Sequence, residues 1–410
     1  MQALADLDLP HLPVEDPAFG EDPRRHFTDA RAKHPWIAAS NIGFFVHEFT
    51  AIRELLAMDD KLRPGFDGIV EQLGAQGTPW GRFTEEQMIS LPTEKHRLLR
   101  DTFVPKFGPR SADQLRSTMQ LTIKRLLDQW VPKGEFDFEE FASYFPISVI
   151  FALVGAPIEE VASIRESLET LGLALSMDKS RLPAIHGAFA RLEDLVQRLI
   201  ADRRASAASG KQDDLLKLLL DTADEGSINH RQLADLLIFL FIAGYDTSKN
   251  VLTFTMYKLL QHPVIYKRCA TDHDYCRKVL DESLRYYNPG SIPRFTRQQM
   301  TFRDVLIPKD TMLWFPVNIA GRDPGVFDDA ETFDPERQPD PKRKHLAFGL
   351  GKHMCLGQHI ARAQLQEALH QIARRILNPR LAGEFGWRLF PGIWGLKGLP
   401  IRFTPSQADI

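Results

Sequence analysis

Residues 348–357 read FGLGKHMCLG, and this stretch organises the interpretation of the whole chain. Its three glycines stand around Cys355, so the backbone can turn tightly there and pass close to a flat ligand. Residues 358–377 follow with the periodicity of an amphipathic helix. The start of a helix supplies free N–H groups and a partial positive charge, which favour a thiolate over a thiol. The stretch therefore predicts a cysteine that is presented to a soft metal.

The pattern F-G-x-G-x-H-x-C-x-G is matched at each fixed position of 348–357, and it resembles the haem-binding loop of the cytochrome P450 family. A lone cysteine beside glycines is more often a structural residue, but the complete pattern is far more specific. In the family this cysteine is the axial thiolate of the haem iron, a ligand that favours O–O cleavage. The resemblance implies that Cys355 binds the iron of haem b, that His353 contacts a haem propionate, and that Phe348 and Gly349 line the cofactor.

Length and composition describe an ordinary globular protein. With 410 residues, 43% of them hydrophobic, the chain can bury a large core, and length alone suggests about two or three domains. The resemblance implies instead a single catalytic domain over 27–410, mainly α with small β regions, after an N-terminal extension over 1–26. A net charge of −3 does not describe a general nucleic-acid binder.

The cysteines indicate a reducing compartment. Cys269, Cys276 and Cys355 are an odd set without paired spacing, which argues against a disulfide framework. Residues 1–23 are acidic and proline-bearing, with neither a basic leader nor an apolar run long enough to span a bilayer. We therefore expect a soluble, bacterial-type member of the family that is cytoplasmic, monomeric and not bound to a membrane.

Periodicity and turn residues give a coarse order of elements. The expected helices are 50–57, 111–131, 138–154, 157–175, 182–205, 227–262 with Ser227 as a cap, and 272–287. The expected strands are 36–39, 43–47, 302–307, 311–315, 389–395 and 399–403. Residues 60–90 carry several glycines without sustained periodicity, which predicts a long loop with at most short helices, and 206–213 read as a small polar linker.

The helix predicted over 227–262 is apolar nearly all round in its middle, LLIFLFIAGY, and is therefore expected to be buried. Asp246 and Thr247 follow directly, and buried polar groups cost stability unless they are satisfied. On residue types alone, Thr247 could simply bond a carbonyl one turn back while Asp246 lies at the surface. The resemblance implies that Ala243 and Gly244 leave room for bound oxygen, that Thr247 steadies it, and that Asp246 supplies protons.

Two donors, His96 and Arg100, lie four residues apart and so share one helix face, which suits an anionic group. The alternative is a solvated basic face. The family carries a histidine and an arginine at this spacing that bind a haem propionate, and Arg294 matches a further propionate-binding arginine by its spacing from Arg285. The resemblance therefore adds His96, Arg100 and Arg294 to the cofactor site.

Glu282 and Arg285 lie three residues apart on a predicted helix, so their charges meet. Such a pair is common and means little alone. In the family it is buried and joined by an arginine that precedes the cysteine loop, here Arg337. The three are expected to form a structural triad without a chemical role.

The substrate pocket is expected where the family has it, under residues 60–90 and beside the central helix. Its predicted lining is mostly apolar: Phe66, Trp80, Phe83, Phe239, Ile242, Ser291, Ile292, Ile393 and Trp394. Such a lining predicts a small or medium hydrophobic substrate. A substrate carboxylate stays an alternative, because Arg82 and Lys179 lie in the same regions.

The basic run PKRKH at 341–345 stands directly before the cysteine loop. A short basic run is usually only solvated. Lys342, Arg343 and Lys344 could instead receive an acidic ferredoxin that delivers electrons from an NAD(P)H-dependent reductase.

Together these motifs imply a haem-thiolate monooxygenase that activates O2 and hydroxylates, O-demethylates or epoxidises its substrate. A peroxygenase on the same fold would use hydrogen peroxide and would be expected to lack the pair Asp246 and Thr247. A haem sensor or redox carrier would need no roomy pocket. Oxidation of substrate with ferredoxin present or absent distinguishes these alternatives.

Overall fold

The chain is mainly helical, as expected. The computed structural model describes residues 2–206, 213–338 and 340–406. Its α-helices are α1 Pro23–Lys33, α2 Phe49–Leu56, α3 Phe66–Leu73, α4 Pro79–Glu86, α5 Thr93–Phe107, α6 Pro109–Gln114, α7 Arg116–Trp130, α8 Phe138–Val154, α9 Val161–Gly172, α10 Leu182–Ala205, α11 Leu215–Asp224, α12 His230–Leu260, α13 Pro263–Thr271, α14 His273–Tyr286, α15 Val317–Ala320 and α16 Gln358–Arg375.

Small sheets flank the helices. Their strands are β1 Gln2–Ala3, β2 Ile37–Ser40, β3 Gly43–Val46, β4 Leu62–Pro64, β5 Glu135–Asp137, β6 Ile292–Thr296, β7 Met300–Phe302, β8 Val305–Ile307, β9 Met312–Phe315, β10 Ile376–Leu381, β11 Gly386–Trp387, β12 Leu396–Lys397 and β13 Pro400–Pro405. The largest sheet has five strands in the order β2-β3-β9-β6-β4. It places β6, which carries Arg294, between two neighbours and so fixes that arginine.

Helix α12 lies at the centre of the fold and packs mainly against α8. Asn229 caps it, because its side chain accepts the N–H of Gln232 at 2.9 Å while the Gln232 side chain accepts the N–H of Asn229 at 2.9 Å. The predicted cap was Ser227, which has no such partner three residues later. The apolar middle of α12 is buried on nearly all sides, as its sequence predicts.

The predictions for α8 and α10 are confirmed to the residue, whereas the strand predicted over 302–307 is interrupted between β7 and β8. Residues 60–90 contain β4 and the eight-residue helices α3 and α4, so the predicted loop is largely short helices. The predicted strand over 389–395 is wrong: Pro391 has no N–H to donate and Gly392 has a φ of 93°, so the run turns. Most of the linker predicted at 206–213 lies outside the described residues.

Residues before 27 pack into the same hydrophobic clusters as the rest of the chain. Leu4 belongs to the smaller cluster, around the five-stranded sheet, and Leu12, Val14 and Phe19 belong to the larger one. The segment predicted as an extension therefore contributes to the core. None of the described helices combines the length and the apolar character that crossing a lipid bilayer requires.

Candidate active site

The cysteine loop presents Cys355 to an internal cavity. Gly349 and Gly351 have φ values of 68° and 69°, in the left-handed region that favours glycine, and the N–H of Cys355 donates to the carbonyl of Phe348 at 2.8 Å. The Cys355 side chain is accessible, yet protein surrounds it closely enough for burial to raise the pKa of its thiol. A side chain that is accessible although protein surrounds it is typical of a residue at the floor of a cavity.

Burial outweighs the groups that favour the Cys355 thiolate. The N–H groups of Gly357 and Gln358 and the charge of Arg100 lower the thiol pKa, but burial raises it further, so the net shift is upward. A bound metal ion removes the proton from a coordinating thiol outright. In the described ranges no group of three or more His, Cys, Asp or Glu residues could hold a metal. One cysteine alone fits a metal whose other ligands come from a porphyrin.

Four basic side chains meet beside this loop: His96 and Arg100 from α5, Arg294 from β6, and His353. The rings of His96 and His353 stack with centroids 4.2 Å apart. Burial lowers the pKa of Arg294 to about 10, and burial with the charges of Arg294 and His96 lowers the pKa of His353 to about 3. Nδ1 of His353 is buried without a hydrogen-bond partner in the described part of the chain. Basic groups that repel one another are stabilised by an anion between them, and the carboxylates of a haem are anions of this kind.

Helix α12 leaves one opening, at Ala243. Ala243 is exposed, and the half-buried Thr247 donates its hydroxyl to the Ala243 carbonyl at 2.9 Å. Gly244 does not share this opening, because a Cβ there would overlap with Cδ1 of Ile150 on α8. Of the two small residues predicted to make room for oxygen, Ala243 is exposed, whereas Gly244 permits the packing of α8.

The carboxylate of Asp246 is held in a buried ionic cluster. Nη1 of Arg388 lies 3.0 and 2.9 Å from its two oxygens, and the side-chain amide of Asn250 donates to Oδ1 at 2.9 Å. Nζ of Lys249 lies 3.4 Å from Oδ1, and Arg388 also donates to Glu169 of α9 at 3.1 Å. Asp246 therefore lies away from the surface, and both of its carboxylate oxygens are occupied by partners.

Sequence reasoning missed the partners of Asp246. A lysine at 249, fully buried on an apolar helix, is a signal that could have been used, because such a charge needs an acid nearby. Arg388 gives no comparable local signal, since it lies 142 residues from Asp246.

The predicted pocket residues fall into two groups. Those that are half-buried, and so partly accessible, are Phe239, Ile242, Ile292 and Ile393. Those that are buried are Phe66, Trp80, Phe83, Ser291 and Trp394.

Trp394 differs most from its predicted role at the tip that reaches into the pocket. Its indole stacks on Trp387 with centroids 5.2 Å apart, and its N–H donates to the carbonyl of Gly20 at 2.9 Å. The side chain is 1% exposed, so it belongs to the core that joins the N-terminal segment to the C-terminal turns. Ile393, next to it, pairs with Gly290 and is half-buried.

Glu282 and Arg285 form a bidentate pair, with both nitrogen–oxygen distances at 2.7 Å. Arg285 also donates to the carbonyls of Gly321 and Ala330 at 2.6 and 2.9 Å. Nε of Arg337 stands 3.7 Å from Glu282, a looser contact. The structure brings the predicted triad together around Glu282, which contacts both arginines.

The basic run before the loop is partly neutralised by the chain itself. Arg343 contacts Asp328 at 2.7 Å and Asp340 at 3.4 Å. Lys342 and Lys344 are exposed, and no ion pair to either is found among the described residues.

Comparison with known proteins identifies the family. The family model described as Cytochrome P450 matches residues 78–376. The chain is 32% identical over 401 residues to luteothin monooxygenase of Streptomyces thioluteus, covering 97% of this chain and 96% of that protein. It is 26% identical over 393 residues to the biotin biosynthesis cytochrome P450 of Bacillus subtilis (strain 168), covering 94% and 97%.

Solved structures share the fold. The crystal structure of CalO2 superposes with a TM-score of 0.86 at 23% identity, covering 97% of this chain and 100% of that one. The structure of P450BioI with an acyl carrier protein bearing hexadec-9Z-enoic acid gives 0.83 at 24% identity, covering 94% and 100%. With this fold, an accessible cysteine and a cluster of basic donors beside it, the chain belongs to the cytochrome P450 family of haem-thiolate monooxygenases.

Proposed function

We propose that this protein binds haem through Cys355 and uses it to insert one oxygen atom of O2 into a C–H bond, or a related site, of a hydrophobic biosynthetic intermediate. The accessible Cys355 beside a buried cluster of basic donors is the observation that supports this proposal. Two relatives, luteothin monooxygenase and the biotin biosynthesis cytochrome P450, support a biosynthetic substrate.

Haem with a cysteine thiolate ligand supplies the oxygen chemistry, because the thiolate donates electron density that favours O–O cleavage. The chain's own residues bind and orient this group. Arg294, His96 and Arg100 would hold its carboxylates by charge-assisted hydrogen bonds, and the free Nδ1 of His353 would gain a partner.

Thr247 and Asp246 would then handle protons. The Thr247 hydroxyl bonds only its own helix and can rotate toward the cavity. Asp246 can exchange a proton only when its bonds to Arg388 and Asn250 loosen, so the relay implied by the family would require a local rearrangement here.

The test of the cofactor assignment is the optical spectrum of the reduced carbonyl complex. Wild-type protein should show the red-shifted Soret band that an anionic sulfur ligand produces, and Cys355→Ala should lose it. Cys276→Ala, a substitution at a buried cysteine, should keep it. An unchanged band in Cys355→Ala would overturn the assignment.

Electrons are proposed to come from an acidic ferredoxin that docks on the exposed lysines near the cysteine loop. Among the described residues no acid pairs with Lys342 or Lys344, whereas Arg343 already has two acids. Converting Lys342 and Lys344 to Gln should therefore slow reduction and weaken its salt dependence, while Arg343→Gln changes both less. Equal effects of the two variants would exclude this docking site.

Dependence on the electron donor distinguishes the monooxygenase from a peroxygenase or a haem sensor. With ferredoxin and its NAD(P)H-dependent reductase, substrate should be oxidised steadily. Oxidation with hydrogen peroxide but not with ferredoxin would indicate a peroxygenase, and no oxidation with either would favour the sensor.

A further inference from the structure

The guanidinium of Arg82, on α4, is already occupied by carboxylates of the chain. Nη1 donates to Oδ2 of Asp235 at 2.7 Å and Nη2 donates to Oδ1 at 3.0 Å, so the two planar groups meet fork to fork. Nη1 also donates to Oε2 of Glu86 at 3.0 Å. A ligand carboxylate would have to displace Asp235 before it could pair with Arg82 in the same way.

Asp235 lies on the stripe of α12 that carries two of the predicted pocket residues. With 3.6 residues per turn, Phe239 and Ile242 follow it on nearly the same face, about one and two turns later, and both are half-buried. The exposed Ala243 is roughly 12 Å further along the axis at 1.5 Å per residue. The ion pair therefore lies at one end of this stripe, and the opening at Ala243 lies near the other end.

Buried apolar residues stand close to Arg82 along α4, while the Arg82 side chain itself is 23% exposed. Trp80 and Phe83 flank Arg82 on α4 and are buried, and Phe83 contacts Phe189 of α10 with ring centroids 5.2 Å apart. Asp235 itself is 7% exposed. Without Asp235, Arg82 keeps the exposed carboxylate of Glu86 and has N–H donors left that can pair with another anion.

We propose that Asp235 is a specificity-determining residue: it occupies the arginine that would otherwise anchor a substrate carboxylate, and so keeps the pocket selective for uncharged substrates. This inference rests on the proposed function, since it concerns the substrate of the same site. A neutral apolar molecule loses nothing at the paired Arg82, whereas an anion must break the pair or remain desolvated without a partner.

The test compares ligands of one length and different charge on the haem-loaded protein. Decanoate and 1-decanol are titrated into wild type, Asp235→Asn and Glu86→Gln, and binding is followed by equilibrium dialysis and by the low-spin to high-spin optical shift. Wild type should prefer 1-decanol. Asp235→Asn should bind decanoate at least about tenfold more tightly than wild type, because the freed guanidinium gains a charge-assisted pair.

Glu86→Gln is the matched control, because the Glu86 carboxylate bonds the same guanidinium but its side chain is 55% exposed. It should change decanoate binding by less than about threefold. If Asp235→Asn fails to fold, Arg82→Gln tests the same pair from the other side: the unpaired Asp235 should then favour decyltrimethylammonium, which cannot ligate iron.

A wild type that binds decanoate as tightly as 1-decanol would overturn the inference, as would ratios unchanged in Asp235→Asn and Arg82→Gln. These outcomes leave the proposed function intact as long as the reduced carbonyl complex keeps its red-shifted band. Loss of that band in wild type would instead refute the proposed function, whatever the ligand ratios.

Discussion

Replacing Arg388 by methionine should destabilise the protein by about 3 kcal/mol. Arg388 is 3% exposed and contacts both oxygens of Asp246 and one of Glu169 within 3.1 Å. Methionine fills much of the same volume, so the cost comes mainly from the carboxylates left behind. Removing one partner of a buried ion pair costs about 3–5 kcal/mol. Lys249, at 3.4 Å from Asp246, stays in place and keeps the effect near the lower end.

Urea unfolding of the haem-loaded protein, followed by circular dichroism, measures this cost. Arg402→Met is the control, because the side chains of Arg402 and its partner Glu135 are 54% and 47% exposed, and it should lose at most about 1 kcal/mol. Adding Asp246→Asn to Arg388→Met should recover part of the loss, since the uncompensated charge is then gone. Equal losses in Arg388→Met and Arg402→Met, or no recovery in the double variant, would refute this reasoning.

Three further outcomes are expected. Burial lowers the pKa of His47 to about 3, so below pH 6.5 the unfolded chain binds a proton at this residue that the folded chain does not bind. The free energy of unfolding should therefore fall between pH 6.5 and 3, by up to about 4 kcal/mol. Urea titrations of His47→Phe should show a shallower fall. Glu282→Gln should cost about 3 kcal/mol and speed haem loss, measured by transfer to apomyoglobin, because Arg285 keeps only carbonyl partners. Gly321→Ala should cost about 1–3 kcal/mol in thermal unfolding, because its Cβ would overlap with the carbonyl oxygen of Arg285; a neutral effect would contradict that packing.

The cofactor side of the site could be predicted because its residues lie in short motifs. Cys355 and His353 belong to one ten-residue stretch, and His96 and Arg100 are one helical turn apart. Such spacings fix which side chains share a face, so a sequence pattern carries most of the geometry. What the pattern did not contain is the net effect of burial, which raises the pKa of Cys355 despite the helix start.

The fold was predictable where periodicity runs unbroken. Helices α8 and α10 match their predicted bounds, while α16 ends at Arg375 and the chain continues as β10 through Asn378, with a φ of 49°. Helix α13 was not predicted, although Pro263 directly follows the predicted central helix 227–262. Proline also fits the first turn of a helix, where its missing N–H has no intrahelical partner, and Pro263 opens α13 there.

The buried ion pairs of α12 could not be predicted from the sequence, because each pair joins residues that are far apart in the chain. Arg82 and Asp235 lie 153 residues apart, and Asp246 and Arg388 lie 142 apart, so neither pairing is visible in any local pattern. Both pairs place an acid of α12 against an arginine from another part of the chain. The charges beside Cys355 are less well compensated. Arg294 is 7% exposed, and Asp59 raises its pKa by less than burial lowers it. Under the proposed function, the paired charges along α12 would favour an uncharged substrate, and the excess positive charge beside Cys355 would favour a dianionic cofactor.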